Sequence, residues 1–117
     1  MKQLNQIIIV FIVTAVLSSC SNAIIDDEDL VPITNDVIYN PNVNAIMFNN
    51  CVTCHGGGTP SAGLDLTNFL NVKNATENGN LLNRINNGAN PMPPSGLMNA
   101  QDRAAIQKWK EDGYLEN

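Results

Sequence analysis

Two cysteines and the only histidine of the chain lie together in the sequence CVTCH, residues 51–55. This cluster constrains the fold strongly, because a short stretch of backbone must aim two thiols and an imidazole at one target. The chain has 117 residues, of which only 5% are aromatic, so we expect a single small domain with a thin core. Such domains commonly gain stability from a disulfide, a metal or a cofactor. We therefore expect the cluster to hold a stabilising group.

The first twenty residues are typical of an export signal. Lys2 precedes an apolar run over residues 7–17, and a helix of that length spans about 16 Å, roughly half of the hydrocarbon core of a bilayer. The run is therefore better explained as a signal peptide than as a membrane span. It ends in LSSC, residues 17–20, which resembles the bacterial lipobox. We predict that residues 1–19 are removed and that Cys20 is lipidated, the alternative being an ordinary signal peptide.

The segment that follows is acidic and the rest of the chain is poor in basic clusters. Residues 21–38 contain Pro32 and show no helical period, so we predict a tether from Cys20 to residue 38. The alternative is an ordered arm, because Leu30, Val31 and two isoleucines before them could pack on the domain. The formal net charge is −5 and the six Lys and Arg residues are scattered, which argues against nucleic-acid binding.

From residue 39 onward the sequence predicts helices. Apolar side chains at positions 43, 46, 47, 51 and 54 share one helical face, which predicts a helix over about residues 41–54. Shorter helices are predicted at about 67–72 and 79–87, the latter stopped by Gly88. No stretch of five or more residues alternates cleanly between apolar and polar side chains, as a half-buried strand does. We therefore predict an all-α domain of three to four helices over residues 39–117.

The last predicted helix carries clear boundary signals. Asn99 is placed to cap its start, and Asp102 occupies the third helical position, as in a capping box. Ile106 and Trp109 lie on its apolar face, and Gly113 is placed to end it. We therefore expect one helix between Asn99 and Gly113.

Four kinds of site use cysteines at the spacing of Cys51 and Cys54. A thioredoxin-like dithiol opens a helix after a strand, whereas this pair lies late in a predicted helix. Structural zinc needs four Cys or His ligands, and only two cysteines and one histidine remain once Cys20 is lipidated. A disulfide is compatible with export, but closing so short a ring stabilises little.

The fourth alternative, covalent haem, accounts for the histidine as well. The pattern C-x-x-C-H is the attachment signature of c-type haem. In such sites both sulfurs form thioethers with the haem vinyl groups, and the adjacent imidazole binds iron. We predict one haem c attached through Cys51 and Cys54, with His55 as the proximal iron ligand. The cysteine count agrees, because one cysteine serves the lipid and two serve the haem.

The second axial ligand must come from another residue type, because His55 is the only histidine. Methionine, lysine, a terminal amine or an open position remain. Met92 stands in NPMPPSG, residues 90–96, where prolines fix the backbone and lower the entropy cost of ligation. Met47 is expected in the core, and Met98 near the start of the last helix is more readily explained by packing. We therefore predict Met92 as the ligand, with Met98 as the alternative.

Together these features resemble the class I c-type cytochromes over residues 39–117. The resemblance implies three main helices around one covalently bound haem, with Pro93 or Pro94 near the ring on the methionine side. That family often places a glycine or an aromatic residue where the first helix crosses the last. Here Ala45 would be the small residue, or Val43 and Ile46 would make the crossing. The matching positions are Val43, Ile46, Cys51, Cys54, His55, Gly56, Pro91, Met92, Pro93, Ile106, Trp109 and Gly113.

His/Met ligation fills both axial positions of iron, which favours one-electron transfer over catalysis. We therefore expect an electron carrier and not an enzyme, held at the membrane by lipid on Cys20. It would be a monomer of the bacterial cell envelope, facing the periplasm or the cell surface, with redox proteins as partners. The alternatives are a haem domain that binds or senses gaseous ligands and a haem subunit of a larger membrane redox enzyme.

Overall fold

The computed structural model describes residues 30–117, and every regular element within them is helical. The predicted signal peptide, Cys20 and the first part of the predicted tether lie outside the described residues. A π-helical turn, Tyr39–Val43, leads directly into α1, Asn44–Asn50, and a short 3₁₀ turn occupies Ser61–Gly63. Three further helices follow: α2, Phe69–Glu77; α3, Leu81–Asn86; and α4, Ala100–Glu111. The predicted all-α fold is confirmed.

Local hydrogen bonding explains where the helices differ from the predicted ranges. The first helix ends at Asn50 instead of at about residue 54, because the CVTCH segment forms tight turns. The second begins after Asn68, whose side chain accepts the N–H of Asn71 at 3.0 Å, and continues five residues beyond the predicted end to Glu77. A side-chain acceptor at this position satisfies an N–H that has no partner inside the helix. The prediction from the sequence pattern gave this cap too little weight.

The last helix begins as predicted. The Asn99 side chain accepts the N–H of Gln101 at 2.7 Å, which caps α4. Among the described residues, Asp102 makes no return bond to the N–H of Asn99, so the predicted capping box is only half formed. At the other end Gly113 adopts φ +83°, a left-handed conformation that lets the chain turn back over the helix.

The core lies where the first helical segment meets α4. Val43, Met47, Ile106 and Trp109 are fully buried in one cluster. The rings of Tyr39 and Trp109 are 5.9 Å apart, so the π-helical turn and α4 are in direct contact. Ala45 is exposed, and the expectation that it is the small residue at the crossing is wrong. The alternative expectation holds for Val43, which lies in the core, while Ile46 is only partly buried against it.

The two ends of the helical domain are joined by a terminal clasp, residues 39–40 with residues 115–116. The N–H of Tyr39 donates to the carbonyl of Leu115 at 2.8 Å, and the N–H of Asn40 donates to that of Glu116 at 3.0 Å. The indole N–H of Trp109 donates to the same Leu115 carbonyl at 2.9 Å. The clasp therefore satisfies a buried polar group in the centre of the core.

The described end of the predicted tether lies along α4. Ile33 and Val37 pack on the core, and the N–H of Val37 donates to the Asp112 carboxylate at 2.8 Å. The Gln101 side chain donates to the carbonyl of Val31 at 3.0 Å. Residues 31–37 thus behave as the ordered arm, while the tether stays a prediction for residues 20–29. No helix within residues 30–117 combines the length and the apolar character needed to cross a membrane.

Candidate functional site

The CVTCH segment forms a tight turn directly after α1. The N–H of Cys51 donates to the carbonyl of Met47 at 2.8 Å, which continues the helical pattern for one residue. The N–H groups of Cys54 and His55 then both donate to the carbonyl of Cys51, at 3.1 and 2.8 Å. Cys51 is half-buried and Cys54 is exposed, and the two are not joined by a disulfide. The motif therefore presents one sulfur to the interior and one at the surface.

The His55 ring is oriented by two backbone carbonyls. Its Nδ1 lies 3.2 Å from the carbonyl oxygen of Ser61 and 3.2 Å from that of Leu64. A carbonyl can only accept, so Nδ1 must carry the proton in both contacts. Nε2 is then the atom with the free lone pair, which is the form of imidazole that binds a metal. The local fold therefore fixes both the tautomer and the direction of this side chain.

An apolar cavity of about 310 Å³ opens beside this turn. Its volume falls within the range of small-molecule and cofactor sites, roughly 300–1,000 Å³. It brings three of the predicted site residues together, Cys51, His55 and Met92, whereas Cys54 does not line it. The other lining residues are Ala62, Leu64, Leu66, Asn80, Leu81 and Arg84.

The described methionines occupy different environments. Met92 is half-buried at the cavity wall, and its N–H donates to the carbonyl of Arg84 at 3.0 Å, which ties its loop to α3. Met98 is only 6% exposed and belongs to the hydrophobic core, as does Met47. Pro93 is half-buried, Pro94 is exposed, and neither lines the cavity. Met92 is thus the described methionine whose side chain borders the same space as His55.

Arg84 is a site residue that the sequence did not reveal. It lines the cavity, and its Nε is buried without a hydrogen-bond partner among residues 30–117. A buried guanidinium N–H left unpaired by the protein is costly, and carboxylate or phosphate is the partner that best matches its geometry. In the sequence Arg84 is one basic residue on a short helix, which usually means a solvated side chain.

The Cys51 thiol has the opposite character to that of a redox-active cysteine. Burial in the apolar cavity wall raises its pKa to about 11, because the thiolate is poorly solvated there. Thiol–disulfide chemistry requires a lowered pKa and access to solvent. The environment of Cys51 therefore disfavours the thioredoxin-like alternative and suits a cysteine that faces an apolar ligand.

The comparison with known families decides the class of domain. The family model described as cytochrome c oxidase, cbb3-type, subunit III matches residues 41–109, more than half of the chain. The chain belongs to this family of cytochrome c domains. No match was found among curated proteins or among solved structures. Membership implies covalent haem c and haem-based electron transfer, and Cys51, Cys54 and His55 of the cytochrome domain fit the C-x-x-C-H attachment motif.

Proposed function

We propose that this domain transfers single electrons through one haem c, with His55 and Met92 as the axial ligands of iron. One observation carries the proposal. His55 and Met92 line the same apolar cavity, together with one of the two attachment cysteines, Cys51. An imidazole nitrogen and a thioether sulfur on one cavity are the ligand pair that c-type cytochromes use for electron transfer.

The residues of the cavity fit a haem in their apolar character and in their charge. When bound, the haem supplies a one-electron Fe(III)/Fe(II) couple. Leu66 and Leu81 are buried and keep water from the cavity wall. The unpaired Nε of Arg84 is suited to hold a haem carboxylate, which would satisfy that buried N–H. The carbonyls of Ser61 and Leu64 hold His55 by its Nδ1–H, which leaves Nε2 free to bind iron.

Ligation by Met92 predicts a specific spectroscopic result. Met92→Leu removes the sulfur and keeps the volume, so the haem should stay attached while the iron loses its sixth ligand. We expect this variant to lose the weak far-red band that oxidised c-type cytochromes show when methionine sulfur binds iron. Visible spectra of the oxidised and reduced mature domain, produced with haem-attachment machinery, provide the measurement.

The matched control is Met98→Leu, which makes the same chemical change in the core. We expect it to retain the far-red band. Loss of the band in Met98→Leu but not in Met92→Leu would exchange the two assignments. Covalent haem that lacks the band in the wild-type domain and binds CO would instead favour the ligand-binding alternative. Absence of covalent haem would overturn the electron-transfer proposal itself.

We further propose that lipid on Cys20 holds the domain at a membrane surface, since the lipobox-like LSSC precedes a short acidic segment and the haem domain. Anchoring would raise the encounter rate with membrane-bound redox partners. Cys20→Ser should move the mature protein from the membrane fraction to the soluble fraction after export. An unchanged membrane fraction in this variant would refute lipid anchoring through Cys20.

The description of the matched family favours a second candidate. That family is named for subunit III of a cbb3-type cytochrome c oxidase, so the domain could pass electrons within a larger membrane redox enzyme. Size-exclusion chromatography of the full chain from a detergent extract distinguishes the two roles. Elution in a complex that consumes oxygen supports the subunit role, whereas elution alone as a monomer supports the independent carrier.

A further inference from the structure

The imidazole of His55 depends on one loop, residues 61–66, which we name the cradle loop. Two of its carbonyls, those of Ser61 and Leu64, accept the Nδ1–H of His55 at 3.2 Å each. The N–H of Leu66 donates to the backbone carbonyl of His55 at 2.7 Å. Both the ring and the backbone of His55 are therefore positioned by this loop, and a shift of the loop moves the ring.

Part of the cradle loop adopts a backbone conformation that is unfavourable for a residue with a side chain. Ala62 adopts φ +55° and Gly63 adopts φ +69°, so two consecutive residues occupy the left-handed region. For a residue with a Cβ this region is sparsely populated and costs free energy, which the surroundings must offset.

The bonds of the 3₁₀ turn are local, such as that from the N–H of Gly63 to the Pro60 carbonyl at 3.0 Å. The N–H of Ser61 donates to the Cys54 carbonyl at 2.8 Å, so this bond, like that of Leu66, ties the loop only to the CVTCH segment that the loop positions. A bond to α2 would fix the loop independently of that segment.

Asp65 provides such a bond. One carboxylate oxygen accepts the N–H of Thr67 at 2.9 Å and the Oγ–H of Thr67 at 2.7 Å. The other accepts the Nδ2–H of Asn71 on α2 at 3.1 Å. The Thr67 hydroxyl and N–H stabilise the ionised form and hold the pKa of the Asp65 carboxyl below its usual range. In the sequence Asp65 lies between Leu64, whose carbonyl accepts the Nδ1–H hydrogen bond of His55, and Leu66, which lines the cavity.

We propose that Asp65 is a positioning residue that fixes the His55 imidazole by anchoring the cradle loop to Thr67 and α2. The inference rests on the proposed function, because it takes His55 as an iron ligand. A firm Nδ1–H to carbonyl bond raises the electron density at Nε2 and so favours oxidised iron. Loosening the loop weakens that bond, and the reduction potential of the haem should rise.

Thr67→Val tests the proposal with the charge unchanged. The substitution removes the Oγ–H donor to Asp65, keeps the Thr67 N–H donor and keeps the branched shape. We expect a rise in reduction potential by spectroelectrochemistry, together with a change in the hyperfine-shifted NMR resonances of the His55 ring. An unchanged reduction potential and unchanged ring resonances in Thr67→Val would overturn the proposal. They would mean that Asp65 acts only through its charge, which this substitution leaves in place.

Two substitutions at Asp65 separate anchoring from charge. Asp65→Asn loses the charge but keeps an oxygen that can accept both Thr67 donors, whereas Asp65→Ala loses the charge and the acceptor. Anchoring predicts a larger rise in potential for Asp65→Ala than for Asp65→Asn. Equal shifts in the two variants would show that charge alone acts and would also overturn the proposal.

Asn99→Ala is the control for lost stability alone, because it removes the cap of α4 and leaves the cradle loop untouched. We expect Asn99→Ala to melt at a lower temperature than the wild type and to keep the wild-type reduction potential. A rise in potential equal to that of Thr67→Val would mean that general destabilisation explains the shift. The spectrum of the wild-type domain is recorded first, and a lack of covalent haem in it would refute the proposed function. If haem is attached but Thr67→Val has the reduction potential of the wild type, only the role of Asp65 is refuted.

Discussion

Gly56, directly after His55, has the least room of the glycines around the site. A Cβ at this position would lie 2.7 Å from the Val52 carbonyl oxygen, 2.8 Å from Val52 Cγ1 and 3.0 Å from Thr67 Cγ2. The closest of these is a backbone atom at the end of the α1 turn, so it cannot move aside cheaply. The same contact brings Thr67 against the CVTCH turn, and Thr67 also binds Asp65. The glycine thus permits the close approach on which the site depends.

Gly56→Ala should therefore destabilise the domain. Forcing a methyl group into a filled space typically costs about 1–3 kcal/mol of unfolding free energy. Chemical denaturation of the holo domain, followed by far-UV circular dichroism, measures this cost. Gly58→Ala is the matched control, because no atom lies within 4 Å of a Cβ built there. Equal unfolding free energies for the two variants would contradict the close contact at Gly56.

At the level of single residues, the sequence reveals side chains that act through a motif and misses those that act through position. Cys51, Cys54 and His55 are recognisable because haem attachment requires that spacing. Arg84 is not, since an arginine on a short helix has the same pattern whether its Nε is solvated or buried. The acceptors for His55 are backbone carbonyls, which every residue has, so nothing in the sequence marks Ser61 or Leu64.

At the scale of elements, the C-terminal end of α4 is connected to its surroundings through Asp112. Asp112 forms an ion pair with Lys108 one turn earlier and accepts the N–H of Val37 from the N-terminal arm. The Lys108 ammonium and the Val37 N–H stabilise the ionised carboxylate and lower the pKa of Asp112. One side chain therefore joins the end of the helix to residues that precede the first helical turn.

The lowered pKa of Asp112 predicts how stability depends on pH. A carboxyl with a lower pKa in the folded state stabilises the fold above the unfolded value of about 3.9, and that contribution is lost as the pH falls through the folded value. Asp112→Asn should melt at a lower temperature than wild type near pH 7. The difference should narrow progressively below about pH 4, because the carboxyl is protonated first in the unfolded state and, at still lower pH, in the folded state as well.

Thermal melts from pH 7 down to strongly acidic conditions provide this measurement. Asp112→Ala is a useful second variant, because it also removes the acceptor for the Val37 N–H, whereas asparagine keeps an oxygen there. We expect alanine to be less stable than asparagine at every pH. A constant difference between wild type and Asp112→Asn across the range would show that the charge contributes nothing.

The elements could be predicted where local rules govern them. Ile106 and Trp109 repeat at helical spacing and Asn99 is a strong cap, so α4 follows from its own sequence. The π-helical turn Tyr39–Val43 does not, because its first N–H groups are satisfied by Leu115 and Glu116, which are distant in sequence. The length of α1 was also overestimated, since the apolar spacing continues through Cys51 and Cys54 although their backbone forms turns.

For the molecule as a whole, the cavity and the core are continuous. Leu66 and Leu81 belong to the buried cluster and also line the cavity. An emptied apolar cavity destabilises by about 24 cal/mol per Å³. A volume of about 310 Å³ then corresponds to at most roughly 7 kcal/mol, an upper limit because the cavity opens to solvent. This is comparable with the entire unfolding free energy of a small domain.

We therefore expect the domain without haem to be poorly folded. The apo form, expressed without haem-attachment machinery, should show weaker helical circular dichroism and a lower melting temperature than the holo form. The reason is that residues such as Leu66 would border an empty or hydrated space. Identical helical signal and melting temperature in both forms would show that the helices pack stably without the cofactor.

At this scale the sequence predicted the class of fold and the cofactor, but it did not determine which residues meet where the first and last helices cross. Of the two alternatives for the crossing of the first and last helices, Ala45 is wrong because it faces solvent. Val43 of the other alternative is buried with Trp109. Met47, however, is the fully buried neighbour where Ile46 was expected. Which of several apolar residues meets a partner depends on the angle between helices, and side-chain spacing on one helix does not determine that angle.

The terminal clasp has a topological consequence. Because Tyr39 and Leu115 are bonded neighbours, the path of the chain through the haem domain is almost a closed ring. A short linker could join the two ends, and new ends could be opened in the exposed loop at Gly57 and Gly58. For the same reason, the domain could be inserted into a surface loop of a host protein, where its two ends would span only the gap of a hairpin.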